Sequence, residues 1–315
     1  MQRILCVSSK LHPGVSKVFN NFINVVDNSK HIFVENITSD HDFDNFDLII
    51  FGAWHPLYLP MFQNITCKKS VLWTSSPLQM ELSPDSVEIN FFNELCSLLD
   101  KRIIDYIFIG DKKFSKIFSN KKIKQFYYPI HLERYIENPM KWGKPETNFG
   151  LFTVNHPRKN RFNQINAFIL ASNQNPKLKL YTNVLKKEHH NIINLDWLPN
   201  NDFEKQIERI HFGLNVFPSE SFCYSFIDFM SKGIPTICSE TIANNFDISS
   251  YGMISLNELI VYDCDDCVEI KNSIINLSEK SKLEKEELSL ICRNFVEEFA
   301  MENNKKLRNF ITQLT

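Results

Sequence analysis

Apolar residues along the chain fall into two kinds of run. Short continuous stretches at 3–8, 46–51, 69–74 and 103–110 read as buried strands, whereas 16–26 places Val18, Phe22 and Val25 on one helical face. A second series repeats the alternation, with strands at 148–154, 178–181, 192–195, 212–217 and 236–239 and helices at 160–172, 202–210 and 221–232. A long closing helix over about 282–314 carries Leu288, Ile291, Phe295, Phe299, Leu307, Phe310 and Ile311 at helical spacing, so it buries a stripe. Strands alternating with helices predict an α/β fold with mostly parallel sheets. Pro139, Gly143 and Pro145 punctuate like a linker. The expected organisation is therefore two Rossmann-like domains, 1–143 and 144–315, facing a cleft, with the closing helix packing back on the body. A ligand is expected at the carboxyl ends of the strands.

Composition narrows the class. The chain has 315 residues, 43% of them hydrophobic and 23% charged, with 27 Phe and a formal net charge of −2, which excludes disordered and fibrous classes. No run reaches the roughly 18 uncharged apolar residues of a membrane span; the best candidate, 48–62, is broken by His55, Pro56 and Pro60. The opening Met1-Gln-Arg-Ile-Leu-Cys-Val is too short for a signal peptide and reads as the first strand, so a cytoplasmic protein is expected, with peripheral membrane association left open. The eight cysteines lack the spacing of a disulfide framework. Cys264-Asp-Asp-Cys267 is the one CxxC, and its two carboxylates oppose a lowered thiol pKa, so a structural role is expected and no metal site.

Charge is uneven. Residues 101–145 hold eleven Lys and Arg against four acids, while 240–270 holds seven acids and no base. The basic stretch reads first as a solvated face; it also keeps a nucleic-acid or anionic-membrane partner open.

The most informative segment runs from Asn215 to Glu240: a strand ending at Pro218, a Ser219-Glu220-Ser221 turn, then a helix capped by Ser219 or Ser221 and stopped by Gly233 and Pro235. Phe222, Phe226, Phe229 and Met230 form the apolar face of that helix, and Asp228 lies away from it. Free N–H groups and the dipole at the helix start favour an anion.

This pattern resembles the donor-site signature of retaining, nucleotide-sugar-dependent GT-B glycosyltransferases of the E-x7-E type (glycosyltransferase group 1, family 4-like). Glu220 matches the first acid and Asp228 the second, giving E-x7-D, and Ser221-Phe222-Cys223 stands where the family has Gly-Phe-Gly. The resemblance implies that Glu220 and the backbone after it meet the sugar, and that Asp228 meets the ribose. In Gly150-Leu-Phe-Thr-Val-Asn-His-Pro-Arg158-Lys159-Asn160, Lys159 resembles the family's diphosphate-binding lysine. The family's arginine falls on Val154, so Arg158 or Arg161 is left to supply the second cation.

Weaker echoes lie in the first half. Pro13 and Gly14 fall in a loop after the first strand, where the family places a glycine-rich loop near donor phosphates and acceptor. His55 and His12 are candidates to orient an acceptor hydroxyl, and a satisfied structural histidine is the competing reading. Tyr128-Pro-Ile-His-Leu-Glu-Arg-Tyr135 is similar to the family's segment leading out of the first domain.

The expected function is metal-independent transfer of a sugar, with retention, from a nucleotide-diphosphate sugar to an acceptor hydroxyl, most naturally of a glycan or lipid-linked sugar. No cofactor beyond the nucleotide-sugar co-substrate is expected. A DNA-modifying glycosyltransferase acting on a hydroxylated base, a GT-B sugar-nucleotide epimerase and a non-catalytic binding protein remain the alternatives.

Overall fold

The computed structural model describes residues 3–37, 42–132, 142, 146–154, 156–184, 189–196, 200–251 and 254–314. The chain divides into two compact units, Met1–Leu132 with Ala300–Thr315, and Glu133–Phe299. The expected linker at Pro139, Gly143 and Pro145 lies outside the described residues.

Unit 1 is built on a six-stranded parallel sheet of β1 (Ile4–Ser8), β2 (Ser29–Phe33), β3 (Leu48–Gly52), β4 (Lys68–Trp73), β5 (Tyr106–Ile109) and β6 (Ile123–Gln125), in the order β2-β1-β3-β4-β5-β6. β1 and β3 are buried at every position, as the near-continuous apolar runs require of strands covered on both faces. Among the described residues the α-helices between these strands are α1 (Pro13–Val25), α2 (Leu59–Phe62), α3 (Pro77–Glu81), α4 (Val87–Asp100) and α5 (Lys112–Ser115). α1 buries Val15, Val18, Phe19, Phe22 and Val25. It begins at Pro13 rather than at 16, because proline at the first helical position loses no hydrogen bond and carries a helical φ. Pro13 and Gly14 therefore lie in the first turn of a helix rather than in a loop. A side chain at Gly14 would meet nothing.

Unit 2 repeats the architecture with β7 (Thr147–Leu151), β8 (Leu178–Thr182), β9 (Ile192–Asn194), β10 (Phe212–Asn215), β11 (Thr236–Ser239) and β12 (Ile260–Val261), all parallel, in the order β12-β11-β10-β7-β8-β9. Its helices are α6 (Arg161–Gln174), α7 (Asn200–Ile207), α8 (Tyr224–Ser231), α9 (Glu240–Asn245) and α10 (Cys267–Glu279). Gly213 of β10 pairs in register with Gly150 of β7. A Cβ at Gly213 would overlap Phe229 of α8 and Thr236, and one at Gly150 would press on Phe229 and Ile210, so the paired glycines seat α8 directly against the sheet.

The closing helix α11 (Lys282–Thr312) forms with the predicted stripe. Within unit 2, Phe295 packs edge-on against Tyr251 at 5.1 Å and Phe299 against Phe246 at 5.2 Å. From Ala300 onward the helix belongs to unit 1 rather than to the second domain. There Asn303 Nδ2 donates to the Tyr128 carbonyl at 2.6 Å, Asn304 Nδ2 to the Ile130 carbonyl at 2.7 Å, and Phe310 packs on Phe108.

All eight cysteines are free thiols. No helix of the described residues is long and apolar enough to cross a membrane.

Candidate donor site in unit 2

In an open parallel sheet, the crevice for a ligand lies where neighbouring strands send their connections in opposite directions. In unit 2 that point is between β7, which continues to β8, and β10, which continues to β11. Cations leave one strand and a carboxylate leaves the other.

After β7 the chain makes a 3-10 turn over Pro157–Lys159, started by His156, whose Nδ1 accepts from Arg158 N at 3.2 Å. Asn160 follows in a left-handed conformation (φ 46°), held by its Nδ2 donating to the Cys264 carbonyl at 2.6 Å, and α6 begins at once. This short turn presents Arg158 and Lys159 together. Arg161, the other candidate for the second cation, lies over the exposed ring of Phe162.

After β10 the chain runs through Val216 and Phe217 to Glu220. Ser239 Oγ donates to the Phe217 carbonyl, Thr241 Oγ1 to the Pro218 carbonyl and Asn245 Nδ2 to the Glu220 carbonyl, so the end of β11 and helix α9 pin the loop at three points. The Glu220 side chain is only 6% exposed, and its Oε2 receives both Arg158 Nη1, at 2.8 Å, and Lys159 Nζ. Burial alone would raise the Glu220 pKa. The two cations and their hydrogen bonds outweigh it and hold the carboxyl below the ordinary glutamate value. Lys159 Nζ also sits 4.3 Å from the centre of the Phe217 ring.

One buried amide couples the two loops. Gln164 of α6 is fully buried; its Nε2 donates to the Lys159 carbonyl at 2.9 Å, and its Oε1 accepts from Val216 N at 2.9 Å. Gln164 carries no charge and matches no motif, so only the helical offset from Lys159 hints at it in the sequence. Two further buried atoms at this end of β7, Arg158 Nε and Thr153 Oγ1, have no hydrogen-bond partner among the described residues. Buried polar groups are rarely left so, and their place is what a polar ligand would satisfy.

The structure thus brings together Arg158, Lys159 and Glu220. Ser219 is half-buried and Ser221 buried, but neither caps the helix: α8 starts at Tyr224, and Cys223 occupies the cap position without a side-chain bond. The Pro218–Phe222 stretch is pinned by α9 instead of turning into helix, which displaces the expected start by three residues. The Cys223 thiol is buried, which raises its pKa; Lys159 draws it down and Glu220 pushes it up, and it stands at about 11, an inert protonated neighbour of the ion pair. The Phe222 ring packs on Tyr224 and Phe246. Asp228 lies half-buried one turn further along α8. Gly233, at φ +62°, ends the helix as expected.

The remaining sites belong to unit 1. His55 starts a 3-10 turn over Pro56–Tyr58, its Nδ1 accepting from Leu57 N at 3.2 Å. Lys112, Lys113, Lys116, Lys121 and Lys122 of the basic stretch lie around α5 and β6 at the sheet edge and are exposed or half-buried. Arg134, Lys141 and Lys144, like Glu133 to Tyr135, fall outside the described residues. In the CxxC, burial and the neighbouring acids raise the Cys264 thiol to about 11, and Cys267 Sγ lies 3.6 Å from the Asn163 carbonyl. Among the described residues no three His, Cys, Asp or Glu side chains converge as a metal site.

Comparison of the whole fold with solved structures finds the same two-sheet architecture in glycosyltransferases of the GT-B fold, all at 12% identity or less. Sucrose-phosphate synthase from Thermosynechococcus elongatus superposes with a TM-score of 0.68 at 10% identity, covering 100% of this chain and 99% of that one. TarM gives 0.64 at 12% identity over 85% of this chain, and the pneumococcal O-GlcNAc transferase GtfA, solved with UDP and GlcNAc, gives 0.60 at 12% over 84%. The match spans little more than half of those two longer chains, 54% of TarM and 56% of GtfA. The two parallel six-stranded sheets with their covering helices define a GT-B fold. No sequence-family model matches the chain, and no curated protein matches it by sequence.

Proposed function

We propose that this protein is a nucleotide-sugar-dependent glycosyltransferase that transfers its sugar with retention and without a metal. The observation that carries the reading is the convergence of Arg158 and Lys159 on buried Glu220 at the sheet's switch point, with Arg158 Nε and Thr153 Oγ1 buried and without a partner among the described residues. A diphosphate satisfies that arrangement: its oxygens take the two cations and the free N–H, and Glu220, released from its counter-ions, accepts hydrogen bonds from sugar hydroxyls. GtfA, which shares the fold, was solved with UDP and GlcNAc, and this favours a uridine nucleotide among the donors to be tried first.

In the reaction the bond between the anomeric carbon and the diphosphate oxygen breaks while the acceptor oxygen bonds to the same face of that carbon. The acceptor proton passes to the departing phosphate oxygen. Lys159 and Arg158 stabilise the charge that develops there, the role otherwise taken by a metal ion. Asp228 is assigned to the ribose and the Ser221–Cys223 backbone to the sugar, as the resemblance implies. The acceptor is a glycan or lipid-linked sugar.

A panel of nucleoside diphosphates and nucleotide sugars tests the reading by thermal shift, since a ligand that binds only the folded state raises its melting temperature. At least one diphosphate must stabilise the wild type and lose that effect in Lys159→Ala. A panel with no stabilising member would refute the donor site.

A further inference from the structure

A cleft of about 760 Å³ opens in unit 1 at the amino ends of β4 and β5, away from the carboxyl ends where an α/β sheet takes its substrates. Lys69, the second residue of β4, lines it; at about 3.3 Å per residue, Trp73 at the far end of that strand is about 13 Å away. Phe62 and Ile65, each 3% exposed, form its deep part. Leu59 of α2 and Ile103, both half-buried, line it nearer the solvent.

Gln63, Lys69 and Arg102 supply the polar side chains of the lining, and none of them is acidic. Lys69 Nζ donates to the Ile65 carbonyl at 2.8 Å, and an ammonium has three protons to give. Lys68, on the opposite face of β4, donates instead to the Leu314 carbonyl at 2.6 Å. The neighbouring carboxylates are engaged elsewhere: Asp105 accepts from Lys69 N and Asp44 from Thr66 Oγ1, each at 2.8 Å. Among the described residues neither Lys69 nor Arg102 is paired with a carboxylate.

Arg102 stands where local structure asks for glycine. At the end of α4, Arg102 N donates to the Leu99 carbonyl at 3.1 Å and Ile103 N to the Leu98 carbonyl at 2.9 Å, a Schellman turn whose left-handed position is Arg102 at φ 60°. Glycine takes that conformation without steric cost and arginine does not. A cation also suits the carbonyl end of a helix, but Lys101 at the cap already supplies one. Helix termination therefore does not account for the side chain at 102, which lines the cleft.

The cations call for a phosphate or carboxylate and the apolar depth calls for hydrocarbon. A bare anion would leave Phe62 and Ile65 wet, and a neutral hydrocarbon would leave the guanidinium and ammonium without a counter-charge. A cleft of this volume is in the range that holds a small organic molecule, about 300–1,000 Å³.

We propose that this cleft binds a single-chain amphiphile with an anionic head, a phosphate monoester or a carboxylate, with Arg102 and Lys69 holding the head and the chain lying on Phe62 and Ile65. The site does not depend on the glycosyltransferase reading. Calorimetric titration compares octyl phosphate below its micelle concentration with inorganic phosphate and with octanol, on wild type, Arg102→Gly, Lys69→Met and Lys159→Ala. Octyl phosphate should bind wild type and Lys159→Ala alike, and about tenfold or more weakly in Arg102→Gly and in Lys69→Met. Inorganic phosphate and octanol should each bind the wild type about tenfold or more weakly than octyl phosphate does. Glycine relieves the left-handed strain, so Arg102→Gly should melt no lower than the wild type, and its loss of binding is then not a loss of fold. Should Lys69→Met fail to fold, Arg102→Gly alone carries the test. No binding of octyl phosphate, equal binding of inorganic phosphate or octanol, or octyl phosphate binding that Arg102→Gly keeps and Lys159→Ala loses, overturns the site. Sedimentation with phosphatidylglycerol vesicles identifies the source: capture of the wild type but not of Arg102→Gly assigns the head to a bilayer lipid, and no capture assigns it to a free amphiphile.

Discussion

Arg158 Nη1 lies 2.8 Å from Glu220 Oε2 although sixty-two residues separate them, because each leaves the carboxyl end of one of two adjacent central strands. Lys159 shares the same oxygen. In the free protein the carboxylate is thus the counter-ion that a bound diphosphate would displace.

Lys159→Ala and Arg158→Ala should each weaken the preferred nucleoside diphosphate by about 10- to 150-fold, the worth of a charged hydrogen bond, about 1.5–3 kcal/mol. The free nucleoside should bind nearly as before. Calorimetric titration with both ligands checks this; equal losses would mean that the cations act through folding.

Glu220→Gln should nearly abolish transfer and leave a folded protein less stable by about 3 kcal/mol, the lower end of the cost of breaking a buried ion pair. It should also change the acid limb of stability. The folded-state pKa of Glu220 is depressed, so its contribution is complete above the unfolded value of about 4.3 and is lost as pH falls through the folded value. Thermal melts between pH 6 and 3 should show the wild type losing this increment below about pH 4, and the variant lacking it.

His12 is expected to stay neutral at pH 7. Burial and the His55 charge lower its pKa against the opposing pull of Glu35 and Glu88. The sign makes its contribution to stability present above about pH 6.5 and lost as pH falls from there through the folded value. An NMR titration of its ring protons should give a midpoint below 6.5; a midpoint above it would put the carboxylates in control.

Transfer should continue in excess EDTA, apart from a modest effect on product release. Complete loss that manganese or magnesium restores would contradict the cationic mechanism.

Gln164→Leu should impair turnover without touching charge. It removes the donor to the Lys159 carbonyl and the acceptor for Val216 N, leaving two buried backbone groups unpaired at about 1–3 kcal/mol each. Lower stability together with weakened diphosphate binding is the expected pair of readouts; loss of stability alone would confine Gln164 to the core.

Much of this was legible in the chain. The buried parallel strands announce themselves as unbroken apolar runs, and the closing helix by its period. β2, with Lys30 and His31 on a partly exposed edge, has no such run and passes unseen. α4 does too, because Ile89, Phe91, Phe92, Leu95, Leu98 and Leu99 spread apolar side chains too widely around the helix for a clean stripe. The charged members of the candidate site stand out by type and by the turn that carries them. Gln164 and the α9 residues that pin the Glu220 loop do not, since a neutral amide acquires meaning only from the backbone groups it happens to reach. The misplaced start of α8 has the same origin: three bonds from β11 and α9, all from later in the sequence, hold Pro218–Glu220 out of the helix.

The paired glycines 150 and 213 give the site a vulnerability with no chemistry in it. Phe229 occupies the space that two missing methyl groups leave open, and through it α8 rests on the sheet. A single added carbon at Gly213 would lift the helix and drag on the loop before it, so that Glu220 leaves its cations while every charged residue is still present. A protein that lost the ion pair in this way would look intact in any inventory of its charged groups.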